Sequence, residues 1–197
     1  MKTIAIVLAA GKSSRMGSNK LLLKLNEKPV IEHILDKLTG FETIVVTGHL
    51  SEEITDIIKS CGAKIVHNPD YEYGMITSFQ AGLIVTPNEI DAVFMVLSDT
   101  FGFKKNLLDE MIQKMESAGA LLVSPLFEGK RGHPVLVARK LFSEFLDRSE
   151  GETMRDIILT YEDNHAYVEG DIWTRIDLDT PEDYEYVQKL WEKQVNS

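Results

Sequence analysis

The chain has 197 residues, 44% of them hydrophobic and 26% charged, a balance that suits one globular domain over residues 1–197 with a full-sized core. Its formal net charge of -10 excludes a nucleic-acid-binding face, and no apolar run nears the ~20 residues that span a bilayer, so a cytoplasmic protein without membrane partners is expected. A single cysteine, Cys61, excludes an intrachain disulfide and any cysteine-based zinc cluster.

The predicted elements alternate strand and helix. Thr3 to Ala9 is a continuous apolar run, the pattern of a strand covered on both faces. Pro29 marks a helix start, Ile31, Ile34, Leu35 and Leu38 follow at helical spacing, and Gly40 closes that segment. Thr43 to Thr47 reads as a strand, and Ser51 as the N-cap of a helix carrying Ile54, Ile57 and Ile58. A short strand over Lys64 to His67 leads into the loop Asn68-Pro69-Asp70 and a helix from about Gly74 to Ile84. Ala92 to Leu97 is a further buried strand, followed by the helical stripe Leu107, Leu108, Met111, Ile112 and Met115. Strands are expected over Ala120 to Pro125 and Pro134 to Ala138, joined by the polar turn Glu128 to Gly132, with helices near Leu141 to Leu146 and Thr153 to Leu159. Ala166 to Glu169 and Thr174 to Leu178 read as extended pieces. Thr180-Pro181-Glu182-Asp183 opens a terminal helix carrying Tyr184, Val187 and Trp191.

This order implies an α/β fold: one Rossmann-like, doubly wound, mostly parallel sheet with helices on both faces. Ligands of such sheets bind at the carboxyl ends of the strands, which directs attention to the segments after Ala9, Leu97 and Leu178.

The segment after the first strand has small residues and then cations. From Gly11 to Lys28 the chain carries Lys12, Arg15, Lys20, Lys24 and Lys28 against Glu27 alone, a local basic segment in an acidic protein. It has neither the Walker A spacing nor Gly-x-Gly-x-x-Gly. The turn Ala9-Ala10-Gly11 lets backbone N–H groups approach a phosphate or base, and Arg15 and Lys20 can add charge-assisted hydrogen bonds. Asp99, just past a buried strand, is placed either to hold Mg²⁺ together with substrate phosphates or to cap the following turn. Asp177 and Asp179 share a face if their segment is extended, and they serve either a metal site with Asp99 or the acidic N-terminus of the last helix.

Leu8-Ala9-Ala10-Gly11-x-Ser13-x-Arg15-Met16-Gly17-x-Asn19-Lys20-Leu21-Leu22-Leu23 resembles the signature of the MobA-like nucleotidyltransferases, and in particular the molybdenum cofactor cytidylyltransferase branch. The resemblance continues, in the family's order, through Asn68-Pro69 with Gly74-Met75 and Ser78, Arg131-Gly132-His133-Pro134-Val135, and Asp177-Leu178-Asp179-Thr180-Pro181-Glu182-Asp183. It implies the nucleotide-diphospho-sugar transferase type of fold and a Mg²⁺-dependent transfer of CMP from CTP to the phosphate of a pterin, releasing pyrophosphate. By that resemblance Lys20, Arg15 and Asp99 are catalytic. Leu8, Ala9, Ala10, Gly11, Lys12, Ser13, Gly74 and Ser78 bind the nucleotide. Arg131 and His133 contact the acceptor, and Asp99 and Asp179 hold the metal. His49 and His67 are weaker candidates to line the site. A molybdenum hydroxylase apoprotein is the partner that the branch implies.

Ala10 stands where guanylyl-transferring relatives tend to have glycine, which favours a pyrimidine. One stretch departs from the branch: Asp99 is followed by Thr100-Phe101-Gly102-Phe103 in place of Gln-Pro. That leaves the metal assignment and opens the acceptor. A sugar or polyol phosphate is the alternative acceptor, and a non-catalytic carrier of the molybdenum cofactor is the alternative function.

Overall fold

A computed structural model describes residues 1–11, 16, 19–48, 52–147, 151 and 153–195. In chain order its strands are β1 (Thr3–Ala9), β2 (Lys24–Leu25), β3 (Lys28–Pro29), β4 (Glu42–Thr47), β5 (Lys64–His67), β6 (Ala92–Leu97), β7 (Leu122–Phe127), β8 (Lys130–Arg131), β9 (Val135–Ala138) and β10 (His165–Glu169). The helices are α1 (Val30–Lys37), α2 (Glu52–Ser60), α3 (Met75–Ile84), α4 (Leu107–Ala118), α5 (Phe142–Leu146), α6 (Met154–Thr160) and α7 (Pro181–Val195).

The main sheet runs β10-β7-β9-β6-β1-β4-β5, with β8 paired to the end of β7. β1 lies between β4 and β6 and is parallel to both. β9 is antiparallel to both β6 and β7, so the sheet is mostly parallel, as the alternation of elements implies.

Both faces of this sheet are packed, and β1 shows why its sequence lacks alternation. Ala5, Val7 and Ala9 join one core with Ile34, Phe94, Phe101, Trp173 and Trp191. Ile4, Ile6 and Leu8 join a second core with Phe79, Leu83, Leu122 and Phe145. A strand whose alternate residues enter two separate cores has no solvent face for polar side chains.

The close approach of α3 to the sheet depends on Gly82. A Cβ there would lie 2.5 Å from the Ile6 side chain. α7 starts at the expected place by reciprocal capping: Asp183 Oδ2 accepts from Thr180 N at 2.8 Å, and Asp183 N donates to Thr180 Oγ1 at 3.2 Å.

One expectation changes. Thr174, expected to begin an extended piece reaching Leu178, instead closes a 3-10 turn over Ile172–Thr174, with the Asp171 side chain accepting from Trp173 N at 3.0 Å. Burial of Trp173 against Phe101 and Trp191 favours that turn over a ladder partner. Among the described residues no helix is long and apolar enough to cross a membrane.

Candidate active site

The carboxyl ends of β1 and β6 open on a cleft of about 590 Å³. Leu8, Ala10, Gly11, Lys20, Tyr71, Ser78, Asp99 and Asp179 are among the residues that line it. Three segments far apart in sequence therefore meet where the topology places ligands.

Lys20 is placed by its neighbours. The Asn19 side chain caps a 3-10 turn over Lys20–Leu22 by accepting from Leu21 N at 3.1 Å, and the Leu21 side chain is buried. The Lys20 ammonium then reaches across the cleft, donating to Asp99 Oδ2 at 3.1 Å and to Asp179 Oδ1 at 3.2 Å. The Lys20 and Asp99 side chains are only 12% and 15% exposed, whereas that of Asp179 is 45% exposed, so the first pair is the better shielded from solvent. Burial opposes the charge on Lys20, but Asp99 and Asp179 outweigh it and hold its pKa above the usual 10.5. The ammonium is therefore a fixed positive charge at neutral pH. Asp183, the cap of α7, also accepts from Asp179 N at 3.1 Å and so orders that residue.

Asp177 lines the same cleft, and burial together with Asp99, Asp179 and Asp183 raises its pKa. Several carboxylates thus share one ammonium, an excess of negative charge that suits a divalent cation. Among the described residues no three His, Cys, Asp or Glu side chains form a preassembled metal cage. Mg²⁺ does not need one, because it is commonly bound by one or two carboxylates and completes its shell with water and substrate phosphates. The donor set of Asp99 and Asp179 fits that chemistry.

Tyr71 and Ser78 also line the cleft, on a segment shaped by Asn68 and Gly74. Buried Asn68 donates through Nδ2 to Thr77 Oγ1 at 2.9 Å and to Ser78 Oγ at 3.0 Å, and it accepts from Asp70 N at 2.9 Å. This ties the loop after β5 to the first turn of α3. Gly74, at φ 108°, makes the sharp entry to that helix. The Tyr71 ring sits over Gly48 at the end of β4, where a Cβ would come within 2.3 Å of it. Neither Tyr71 nor the bonding of Asn68 is evident from residue spacing, although Asn68-Pro69 marks the loop.

Arg131 and His133 lie apart from the residues lining the cleft. The Arg131 guanidinium donates to Glu162 Oε2 at 2.6 Å, and Glu162 Oε1 also accepts from Tyr167 OH at 2.7 Å. His133 is anchored by its backbone, with N donating to Thr174 O at 2.7 Å, while its ring Nδ1 is buried without a hydrogen-bond partner. Leu8, Ala10, Gly11, Ser78 and Asp99 line the cleft. Ala9 is buried behind the cleft, and Gly74 stands at its edge as the start of α3. Lys12, Ser13, Arg15, His49 and Ser51 lie outside the described residues. His67 ends β5 with its side chain exposed.

Residues Thr100, Phe101, Gly102 and Phe103 are buried, and the Phe101 ring packs on Trp173 and Trp191 at 5.9 Å. The stretch that departs from the branch is a plug into the core rather than an exposed acceptor loop. Its aromatic side chains, Phe101 and Phe103, belong to the same core as Trp173 and Trp191.

Residues 5–165 match the MobA-like NTP transferase domain. The chain belongs to that family, and it is a nucleotidyltransferase. It is 30% identical over 185 residues to the molybdenum cofactor cytidylyltransferase of Escherichia coli strain K12, an alignment that covers 91% of this chain and 92% of that protein. A nucleotidyl transferase from Methanothermobacter shares its fold with a TM-score of 0.81 at 23% identity, covering 98% of this chain and 99% of that one. Rv0371C from Mycobacterium tuberculosis H37Rv, solved in complex with manganese, does so with a TM-score of 0.76 at 20% identity, covering 96% and 99%. The fold is that of the nucleotide-diphospho-sugar transferases, and divalent-metal dependence is a property of the family.

Two histidines of this family member make its stability pH-dependent. Burial pushes His133 down to about 4, with Asp177 opposing. Burial, helped by Arg131 and opposed by Glu162, pushes His165 down to about 4 as well. The unfolded chain protonates both near 6.5, so between about 6.5 and 4 it binds more protons than the folded chain. Stability is complete above that window and falls through it, at up to roughly 1 kcal/mol per pH unit for each histidine. Urea denaturation at pH 7.5 and pH 5 is expected to show this loss, and His165→Gln should reduce the difference. Equal midpoints at the two pH values contradict the assignment.

Proposed function

We propose that this nucleotidyltransferase transfers CMP from CTP to the phosphate monoester of a molybdopterin-type pterin and releases pyrophosphate. The observation that carries the reading is the bridge from Lys20 to Asp99 and Asp179, set opposite Ala10 and Ser78 in one cleft. The cytidylyltransferase relative, aligned over nearly the whole chain, supports the choice of nucleotide and acceptor.

A phosphate oxygen of the acceptor forms a bond to the α-phosphorus. The bond from that phosphorus to the oxygen bridging it to the β-phosphate breaks, and pyrophosphate leaves with the electron pair. The acceptor phosphate is already an anionic nucleophile, so the chain need not form a covalent intermediate. Its task is alignment and charge stabilisation. Lys20, with Arg15 as its expected companion, neutralises charge that grows on the leaving pyrophosphate. Asp99 and Asp179 hold Lys20 protonated and aimed into the cleft. They are also the residues that would hold Mg²⁺, which would supply charge neutralisation to the reacting phosphates. Leu8, Ala10 and Gly11 line the cleft against the nucleotide with Ala9 packed behind them, and the family motif assigns Lys12 and Ser13 to the same ligand. Gly74 and Ser78 take the base or ribose. Arg131 and His133 are assigned to the acceptor by the family motif alone; outside the cleft lining, Arg131 pairs with Glu162 and His133 N bonds Thr174 O.

The Ala10 methyl is buried at the floor and reduces room for a bicyclic base. Pyrophosphate release measured with CTP and GTP, each with Mg²⁺ and molybdopterin, is expected to favour CTP by at least about tenfold, the discrimination that one methylene-sized difference in a pocket can give. Ala10→Gly should narrow that ratio. A clear preference of the wild-type chain for GTP overturns the reading of the base.

A further inference from the structure

The hydrogen bonds around Asn68 are directional. The Asp70 backbone N–H can only donate, so the Asn68 atom facing it at 2.9 Å must be the side-chain oxygen. That fixes the amide: Nδ2 faces Thr77 Oγ1 and Ser78 Oγ and spends one proton on each. Thr77 in turn has its own acceptors, the carbonyls of Asp70 and Gly74, both at 2.9 Å. Ser78 has no such outlet. Its oxygen accepts from Asn68, and its own proton meets no acceptor among the described residues. Both side chains are only 3% exposed, and Ser78 lines the cleft.

A buried hydroxyl in this position has one outlet left for its proton. With a lone pair engaged by Asn68, it turns that proton into the cleft and donates there. We propose that Asn68 is a positioning residue that orients Ser78 as a hydrogen-bond donor, so that the cleft favours a nucleobase or ribose atom able to accept. The inference rests on the nucleotide-binding reading of the cleft. It explains how a neutral hydroxyl can discriminate. An exposed serine rotates to suit donor or acceptor, whereas this one, if it met an N–H edge, would leave its own proton buried without an acceptor. Cytosine offers the adjacent acceptors O2 and N3, while the N1–H and N2–H positions of guanine are donors and its O6 is the acceptor on that edge.

The test is a double-mutant cycle read by nucleotide affinity in isothermal titration calorimetry, with CTP, UTP, ATP and GTP in the presence of Mg²⁺ and no acceptor. Asn68→Asp keeps the oxygen that faces Asp70 N but replaces the donor to Ser78 by an acceptor, so the hydroxyl turns away from the cleft. Asn68→Asp and Ser78→Ala are each expected to weaken CTP binding by about fivefold to tenfold, the range for one hydrogen bond. The double variant should be no weaker than Ser78→Ala alone, because the aspartate then has no hydroxyl to turn. The ratio of CTP to GTP affinity should fall with Asn68→Asp, a change that loss of stability by itself does not produce.

Equal losses from Asn68→Asp with and without Ser78 overturn the proposal and leave Asn68 a structural residue. If Asn68→Asp does not fold, folded Ser78→Ala decides alone, and unchanged CTP affinity there overturns the proposal. A wild-type chain that prefers another nucleotide sinks the cytidylyl reading only, and the cycle is then read with that nucleotide. A wild-type chain that binds no nucleotide overturns both.

Discussion

Lys20→Ala is expected to lower turnover by about 10²- to 10³-fold, the loss seen when one preorganised donor to developing charge is removed. The effect is large because the ammonium is both fixed and partly shielded from water. It is held between Asp99 and Asp179 at 3.1 and 3.2 Å, and those carboxylates keep it charged well beyond neutral pH. Nothing else in the described part of the lining can replace it: Asp99, Asp177 and Asp179 are acidic, and Leu8, Ala10 and Ser78 are neutral. Asp99→Asn should act from the other side, removing a carboxylate proposed to hold the metal and half of the lysine's anchorage. Both variants should fold. Partly exposed ion pairs of this sort contribute on the order of 1 kcal/mol, below the 3–5 kcal/mol at stake when a fully buried pair is broken. Steady-state pyrophosphate release together with a thermal melt separates the two effects. Near-normal turnover in either folded variant rejects the catalytic assignment.

Gly132→Ala is expected to be the most damaging small substitution for stability, at about 3 kcal/mol, the upper end of the usual overpacking cost. A Cβ there would lie 2.3 Å from the Thr174 carbonyl oxygen and 2.9 Å from its carbon. Those are backbone atoms, and they cannot turn aside as a side-chain tip can. The surrounding chain is pinned as well, by Gly132 N donating to Pro125 O at 2.9 Å and His133 N donating to Thr174 O at 2.7 Å. Relief therefore requires moving the segment that leads into Asp177 and Asp179. Turnover should fall along with the melting temperature. Gly102→Ala tests the same segment from its other side, where a Cβ would meet the Trp173 ring at 2.2 Å. A Gly132→Ala chain with an unchanged melting temperature contradicts this packing.

Much of the fold can be read from the sequence because its strands are buried on both faces. β1 and β6 fall on the expected residues, since short apolar runs bounded by loop residues leave little choice of register. The winding of Ile172–Thr174 was hidden because it depends on Trp173 meeting Phe101 and Trp191, contacts between residues distant in sequence. The loop after Asp99 illustrates the same limit. Its aromatic residues mark a departure from the family, but their sequence does not say whether they face an acceptor or the core.

At the site, residue types at strand ends pointed to Lys20, Asp99 and Asp179 before any geometry was available. Their meeting on one ammonium could not be read from spacing. Asn68 is the reverse case: its motif was visible, but its role depends on which way an amide points. Arg131 shows how a cation suited to phosphate can instead be occupied by a partner, here Glu162.

The proposed reaction joins CMP to a phosphorylated pterin in this cleft. Incubating the purified chain with Mg²⁺, molybdopterin and CTP labelled at the α-phosphorus follows that transfer itself. One equivalent of label in a pterin dinucleotide is expected for each pyrophosphate released, with transfer slowed by about 10²- to 10³-fold in Lys20→Ala. Label that stays out of the pterin while passing to a sugar or polyol phosphate, or no transfer at all, would contradict the proposed reaction.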